Sequence, residues 1–167
     1  MDNLKYLEHV VELGKVQAAT TPEEMSGAFD AFNGFLGLYY DLAKMELQKA
    51  GIDTPPIRNF AIDKALERID ARLDCADFTI PALIRMLREH RGTRLNEEQA
   101  QKIEQSLIHF KYWLDEPGDV HACFFTENHQ ILYHSAEYLV GQMYPDVVFP
   151  NNGCLLYTSD AADDSLR

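Results

Sequence analysis

Residues 126–138 hold the densest group of side chains in this sequence that can do chemistry. Asn128 and His129 fall in the first turn of a predicted helix, where unsatisfied N–H groups and the helix dipole favour an anion. An amide, an imidazole and that helix end can together hold a carboxylate. Neutralising the carboxylate of a uronic acid acidifies the neighbouring C–H, which a base then removes in a β-elimination. The sequence therefore predicts a lyase-like site, with Glu127 beside it and Tyr133 for proton transfer.

Further side chains in and near this segment are expected to line the site. We expect substrate contacts from three residues, namely His134, Glu137 and Trp113. Two flanking carboxylates would instead permit glycoside hydrolysis, and the sequence offers several: Asp115, Asp119, Glu127 and Glu137. A non-catalytic alternative stays open, in which Asn128 and His129 only cap the helix and hydrogen-bond the adjoining loop.

The segment also contains metal-binding residue types, but their spacing matches no helical metal motif. His134 and Glu137 reverse the Glu-x-x-His order of di-iron helices, and a His-Glu-x-x-His sequence is absent. His129 and His134 point about 140° from each other on a helix. The sequence therefore predicts no metal site and no cofactor. Cys75 and Cys123 lack a nucleophile signature and are expected to be ordinary thiols.

The composition narrows the classes of partner. The 167-residue chain has 15 Lys and Arg against 27 Asp and Glu, a net charge of −12. Because phosphate neutralisation requires basic patches, this balance argues against a nucleic-acid partner. No apolar run is long enough to cross a bilayer, so no membrane partner is expected. The start shows no signal-peptide pattern, and the default expectation is a cytoplasmic location.

Helical signals follow one another along the chain. A first helix is predicted after Asp2, and Thr21-Pro22-Glu23-Glu24 predicts the start of a second. The second helix is expected to run to Ala50, with Gly51 as its terminal left-handed residue. Its many aromatic residues indicate a helix that is buried on most sides.

Four more helices are predicted from their start and stop signals. Their N-caps are Asn59, Thr79, Asn96 and Thr126. The fourth helix of the chain is expected to end near His90-Arg91-Gly92, and the fifth to carry Phe110 inward with Tyr112-Trp113 near its end. The sixth is expected to run to about Met143, before Pro145. Because no stretch alternates with a period of two over a useful length, the sequence predicts an all-α domain of antiparallel helical hairpins.

The last 14 residues have the character of translated sequencing adaptor. Reverse translation of 154–164 gives one continuous frame that resembles the mosaic end of a transposase-based library adaptor. We therefore expect residues 1–153 to be the N-terminal helical fragment of a larger protein, and residues 154–167 to be a non-native, disordered tail. Without that tail, which carries three Asp and one Arg, the net charge is −10.

The segment from Phe125-Thr126-Glu127-Asn128-His129 to Tyr144-Pro145-Asp146 is similar to one in large bacterial proteins of the (α/α) toroid class, which includes polysaccharide lyases and some glycoside hydrolases. The resemblance implies an incomplete toroid-like fold and a poly- or oligosaccharide partner. It also implies that Asn128 and His129 neutralise a uronate carboxylate while a Tyr handles the proton. The competing expectation is a non-catalytic helical scaffold or interaction domain.

Overall fold

Five α-helices and one short strand pair make up the described part of the chain. The computed structural model describes residues 12, 15, 35–57, 59–114, 116–119, 121–151 and 153–155. The helices are α1 (Phe35–Lys49), α2 (Phe60–Asp70), α3 (Ile80–His90), α4 (Glu97–Ile108) and α5 (Glu127–Met143). A 3₁₀ helix covers Ala76–Phe78, and the strands are β1 (Val148–Phe149) and β2 (Cys154–Leu155). The all-α prediction is confirmed, whereas the first predicted helix, apart from Glu12, and the beginning of the second lie outside the described residues.

Helix α3 lies at the centre of the helical packing. It contacts α1, α4, α5 and the 3₁₀ helix, while α2 packs against α1 and α4. Apolar side chains cover several sides of α3, and the buried ones are Ile80, Ala82, Leu83, Ile84, Met86 and Leu87. The consecutive helices α1 and α2 form one packed pair, and α3 and α4 form another. Within the described ranges, we find no helix with the length and apolar character needed to cross a membrane.

The C-terminus of α1 has the geometry that Gly51 predicts. The N–H of Ile52 donates to the carbonyl of Leu47 at 2.9 Å, and the N–H of Gly51 donates to that of Gln48 at 3.1 Å. These are the two hydrogen bonds of a Schellman motif. Gly51 has a φ of 78°, which a residue without Cβ adopts at no steric cost. The predicted helix end is therefore confirmed.

The predicted N-caps differ in whether their side chains bond to the helix. The Asn96 side chain accepts the N–H of Gln99 at 2.9 Å, which confirms it as the cap of α4. Thr126 has the extended backbone of an N-cap before α5, without a side-chain bond to the helix. Asn59 directly precedes α2, but its φ is 61° and its side chain makes no capping bond. Asn59 therefore holds the predicted N-cap position without a side-chain capping bond, because a capping side chain reaches the first turn from an extended backbone.

Helix α4 is shorter than the sequence predicts. It ends at Ile108, and the aromatic residues predicted to lie on it or near its end follow it in an irregular segment: Phe110, Tyr112 and Trp113. The Tyr112 hydroxyl donates to the carbonyl of Leu107 at 2.8 Å. The Asn151 amide donates to the carbonyls of His109 and Phe110 at 2.7 and 2.8 Å. These side chains satisfy one carbonyl of the last turn and two just beyond it, which favours a helix end at this point.

Two residues of the predicted tail take part in the strand pair. Cys154 and Leu155 pair antiparallel with Phe149 and Val148, respectively, whereas disorder was expected from Cys154 onward. Gly153, with a φ of 67°, donates its N–H to the carbonyl of Phe149 at 2.9 Å and closes the turn. Such a turn brings the next two residues alongside β1 through backbone bonds, whatever their side chains. Residues 156–167 lie outside the described part of the chain.

Candidate functional site

A buried His–Asp pair lies where α5 begins. Nδ1 of His129, in the first turn of α5, is 2.7 Å from Oδ2 of Asp77 in the 3₁₀ helix. Asp77 is fully buried and His129 nearly so. A carboxylate that accepts a hydrogen bond from Nδ1 fixes the imidazole tautomer and leaves Nε2 as the nitrogen for chemistry.

The 3₁₀ helix that carries Asp77 is held by its neighbours. It packs against α2, α3 and α5. The ring of Phe78 meets the ring of His129 edge to face, with 5.3 Å between centroids and 74° between planes. The Thr79 hydroxyl donates to the carbonyl of Ala76 at 2.6 Å and closes the turn before α3. The His129 ring is therefore constrained both by Asp77 and by Phe78.

Two further reactive side chains lie beside His129. One possible ligand atom from each of Asp74, Cys75 and His129 lies within 4.8 Å of the other two. Asp74 is exposed and Cys75 is half-buried, so the group has an accessible side. Oδ1 of Asp74 accepts the N–H of Cys123 at 2.9 Å, which fixes the orientation of that carboxylate. We call Asp74, Cys75, Asp77 and His129 the His129 cluster.

Burial dominates the electrostatics of Asp77. Desolvation raises the pKa of its carboxyl group, the hydrogen bond and charge of His129 lower it, and the charge of Asp74 raises it further. Among the described residues, Oδ1 of Asp77 has no hydrogen-bond partner, although it is buried. The bond to His129 is therefore the main interaction that favours the charged carboxylate of Asp77.

Tyr133 lies next to this cluster but cannot reach a substrate in this arrangement. Its ring is fully buried and stacks between Phe110 and Phe124, at centroid distances of 5.8 and 4.4 Å. Burial, followed by the charges of Asp77 and Asp74, raises the pKa of the Tyr133 phenol well above its ordinary value. The proton-transfer role predicted for Tyr133 requires access to the substrate, and the buried ring has none in this arrangement.

Glu127 and Asn128 lie at the start of α5, as predicted, but on a different side from the cluster. Both are exposed, whereas His129 is buried. Consecutive residues of a helix are about 100° apart, so Asn128 points away from the side on which His129 meets Asp77. The predicted Asn–His pair is therefore adjacent in sequence without sharing a face of the helix.

The three predicted substrate-binding residues lie close together. The rings of Trp113 and His134 are 4.2 Å apart at their centroids, and Nδ1 of His134 is 3.5 Å from Oε2 of Glu137. Trp113 also meets Phe124 edge to face at 5.7 Å. Glu137 is buried, while Trp113 and His134 are half-buried. The rings of Trp113 and His134 are therefore partly accessible to a ligand, whereas the carboxylate of Glu137 is shielded from solvent.

The sequence reasoning missed three members of the His129 cluster: Asp74, Cys75 and Asp77. The other residues of metal-binding type in segment 126–138, Glu127, His134 and Glu137, do not join His129 in any cluster of ligands among the described residues. One local signal existed, because two acids flank a cysteine within four residues, Asp74-Cys75-Ala76-Asp77. Nothing in that signal indicates that a histidine 52 residues beyond Asp77 completes the group.

Comparisons with protein-family models, with curated proteins and with solved structures found no match for this chain. The chemistry of the site therefore rests on its own residues.

Proposed function

We propose that this chain contributes a charge-neutralising, acid–base site to a carbohydrate-active protein of toroid-like architecture, with a polysaccharide lyase-like reaction favoured over a glycoside hydrolase-like one. The observation that carries the proposal is the 2.7 Å bond between His129 and the buried carboxylate of Asp77. A buried carboxylate behind an imidazole stabilises the imidazolium and orients the opposite nitrogen toward a reactant.

In this proposal His129 neutralises the carboxylate of a uronic acid. Neutralisation lowers the energy of the anion that forms when the neighbouring C–H loses its proton. The proton acceptor is then a base other than Glu127 and Tyr133, because Glu127 lies on a different side of α5 from His129 and Tyr133 is buried. Trp113, half-buried beside His134, supplies an aromatic surface for a sugar ring, because aromatic side chains combine apolar faces with a polar edge.

Release of unsaturated sugars from polyuronates tests the proposal. We expect His129→Asn to lower the rate by about 10²–10⁴-fold, the range of a positioned acid–base group. Glu127→Gln should leave kcat unchanged, because Glu127 is exposed on a different side of α5 from His129. His121→Asn is the matched control, because His121 is exposed. Full activity of His129→Asn, or no unsaturated product from any polyuronate, would contradict the lyase reaction.

An interaction domain is the second candidate, and the outer face of α5 favours it. Ile131 and Tyr138 are 66% and 58% exposed, and they lie on one face because seven residues make nearly two helical turns. Phe125, just before the helix, is 82% exposed. Large exposed apolar groups that lie near one another are typical of protein contact surfaces. Sedimentation velocity tests this candidate: Ile131→Asp should abolish association through this face, whereas His129→Asn should leave it unchanged.

A further inference from the structure

We propose that Asp74, Cys75 and His129 bind a divalent transition-metal ion of the zinc class, with Asp77 holding His129 from behind. One ligand atom from each of the three residues lies within 4.8 Å of the other two. This inference goes beyond the proposed lyase chemistry and rests only on the geometry of the cluster.

The ligand types suit zinc better than the hard cations. Zn²⁺ takes thiolate, imidazole and carboxylate ligands, whereas Ca²⁺ and Mg²⁺ select oxygen alone. Bonds of about 2.0–2.3 Å in a tetrahedron place ligand atoms about 3.3–3.8 Å apart. The observed separations therefore require a contraction of at most about 1–1.5 Å, which side-chain rotations provide.

The contact between Asp77 and His129 is of the kind that orients a metal-binding histidine. Such a histidine donates its second ring N–H to a carboxylate, which fixes the tautomer and makes the metal-binding nitrogen more basic. With Nδ1 of His129 2.7 Å from Asp77, Nε2 remains for the ion. The full burial of Asp77 keeps water from competing for that bond.

The turn before the 3₁₀ helix holds the other two ligands. Cys75 has a φ of 62° and a ψ of 15°, a left-handed conformation that costs a non-glycine residue about 1–2 kcal/mol. Backbone conformations of this kind concentrate at functional sites. Asp74 is oriented by the N–H of Cys123, which bonds to Oδ1 and leaves Oδ2 for an ion. The turn therefore places a carboxylate and a thiol side by side, facing His129.

A second group with ligand-type side chains provides the contrast. Glu46, Glu89 and His90 also gather within 4.8 Å. Its carboxylates already bind cationic side chains: Lys49 is 2.6 Å from Glu89, and Arg85 is 3.1 Å from Glu89 and 3.3 Å from Glu46. A metal ion would have to displace both cations. Asp74 forms no ion pair with any described residue, so the His129 cluster is the better site in this part of the chain.

Three protein ligands leave the fourth position of a tetrahedral ion open. Catalytic zinc sites likewise have three protein ligands, and the open fourth position holds water or a substrate oxygen. The exposed side of Asp74 supplies the access. A bound ion would stand beside His129 and could neutralise a substrate carboxylate in place of the imidazolium.

Titration of the chelator-treated protein with Co²⁺ tests the site without reference to activity. We expect one ion per chain, with ligand-field bands of a tetrahedral complex and a near-ultraviolet thiolate-to-cobalt band. Zn²⁺ should displace Co²⁺ and raise the Tm. Cys75→Ser should remove the thiolate band, and Asp74→Asn, at an exposed position, should weaken binding without affecting the fold. Asp77→Asn should weaken it about 10–100-fold, as losses of outer-shell partners do.

Two variants serve as matched controls. Cys123→Ser removes the other half-buried thiol near the cluster, and Glu89→Gln alters the second group, so both should bind Co²⁺ as the unmodified protein does. A thiolate band that survives in Cys75→Ser, or a failure of the unmodified protein to bind Co²⁺, would overturn the site. If no ion binds but His129→Asn still abolishes sugar release, the metal site fails and the proposed function stands. If Co²⁺ binds but no unsaturated sugar is released, the metal site stands and the proposed function fails.

Discussion

His129 and Asp77 meet at 2.7 Å although 52 residues separate them, and their bond joins α5 to the 3₁₀ helix. We expect Asp77→Ala to lower the free energy of unfolding by about 1–3 kcal/mol, because it leaves Nδ1 of His129 without this partner in a buried position. Asp77→Asn should lower it less, since the amide oxygen still accepts an N–H. Urea denaturation followed by circular dichroism measures both. Asp53→Ala, in the exposed loop after α1, is the control and should change stability by less than about 0.5 kcal/mol.

Two lysine ion pairs of the same spacing differ in burial and should differ in energy. Lys44 and Asp41 pair at 2.9 Å with both side chains buried, whereas Lys64 and Glu67 pair at 2.6 Å in solvent. Lys44→Met should cost more than about 1 kcal/mol, because water screens a buried ion pair less than an exposed one. Lys64→Met should cost less than about 1 kcal/mol. Equal losses in chemical denaturation would show that burial does not decide the strength of these pairs.

Alanine substitutions at two glycines with positive φ compare the stability cost of backbone strain alone with that of strain plus a steric clash. Gly51 has open space where a Cβ would lie, so Gly51→Ala should cost about 1 kcal/mol from the left-handed backbone alone. At Gly118, with a φ of 99°, a Cβ would meet the guanidinium of Arg72. Gly118→Ala should therefore cost more than Gly51→Ala, because Arg72 must also move. Thermal denaturation of the two variants compares them, and a larger loss in Gly51→Ala would contradict the steric contribution.

The ion-pair network around Arg91 should contribute stability only above acidic pH. Arg91 lies 2.6 Å from both Glu97 and Glu104, and its hydrogen bond lowers the pKa of Glu97 below the ordinary 4.5. A carboxyl group whose pKa is lower in the folded state stabilises that state above its unfolded pKa, and the effect disappears as the pH falls through the folded value. The difference in Tm between the unmodified protein and Arg91→Gln should therefore be present near pH 7 and shrink by about pH 3. A difference that stays constant across this range would rule out the linkage.

Local signals determined the helix boundaries that the sequence predicted well. Gly51 and Asn96 act on backbone groups within a few residues of themselves, so their roles can be read from the sequence. The end of α4 was mispredicted because distant donors decide it, above all the amide of Asn151. The same limit applies to the site. The helix pattern predicted that His129 starts α5, but Asp77 reaches it only through the packing of the 3₁₀ helix.

Asn151 also connects to Arg72, and this contact bears on how the chain folds. Arg72 donates to Oδ1 of Asn151 at 3.3 Å and to the carbonyls of Pro117 and Asp119 at 3.4 and 3.3 Å. The contacts from Asn151 span 79 residues to Arg72 and 42 to His109. Because such closures carry a large loop entropy, the junction should form after the helices have paired. Local opening of the 148–155 hairpin should then release the end of α4 and the 116–119 loop together, as one cooperative unit in hydrogen exchange.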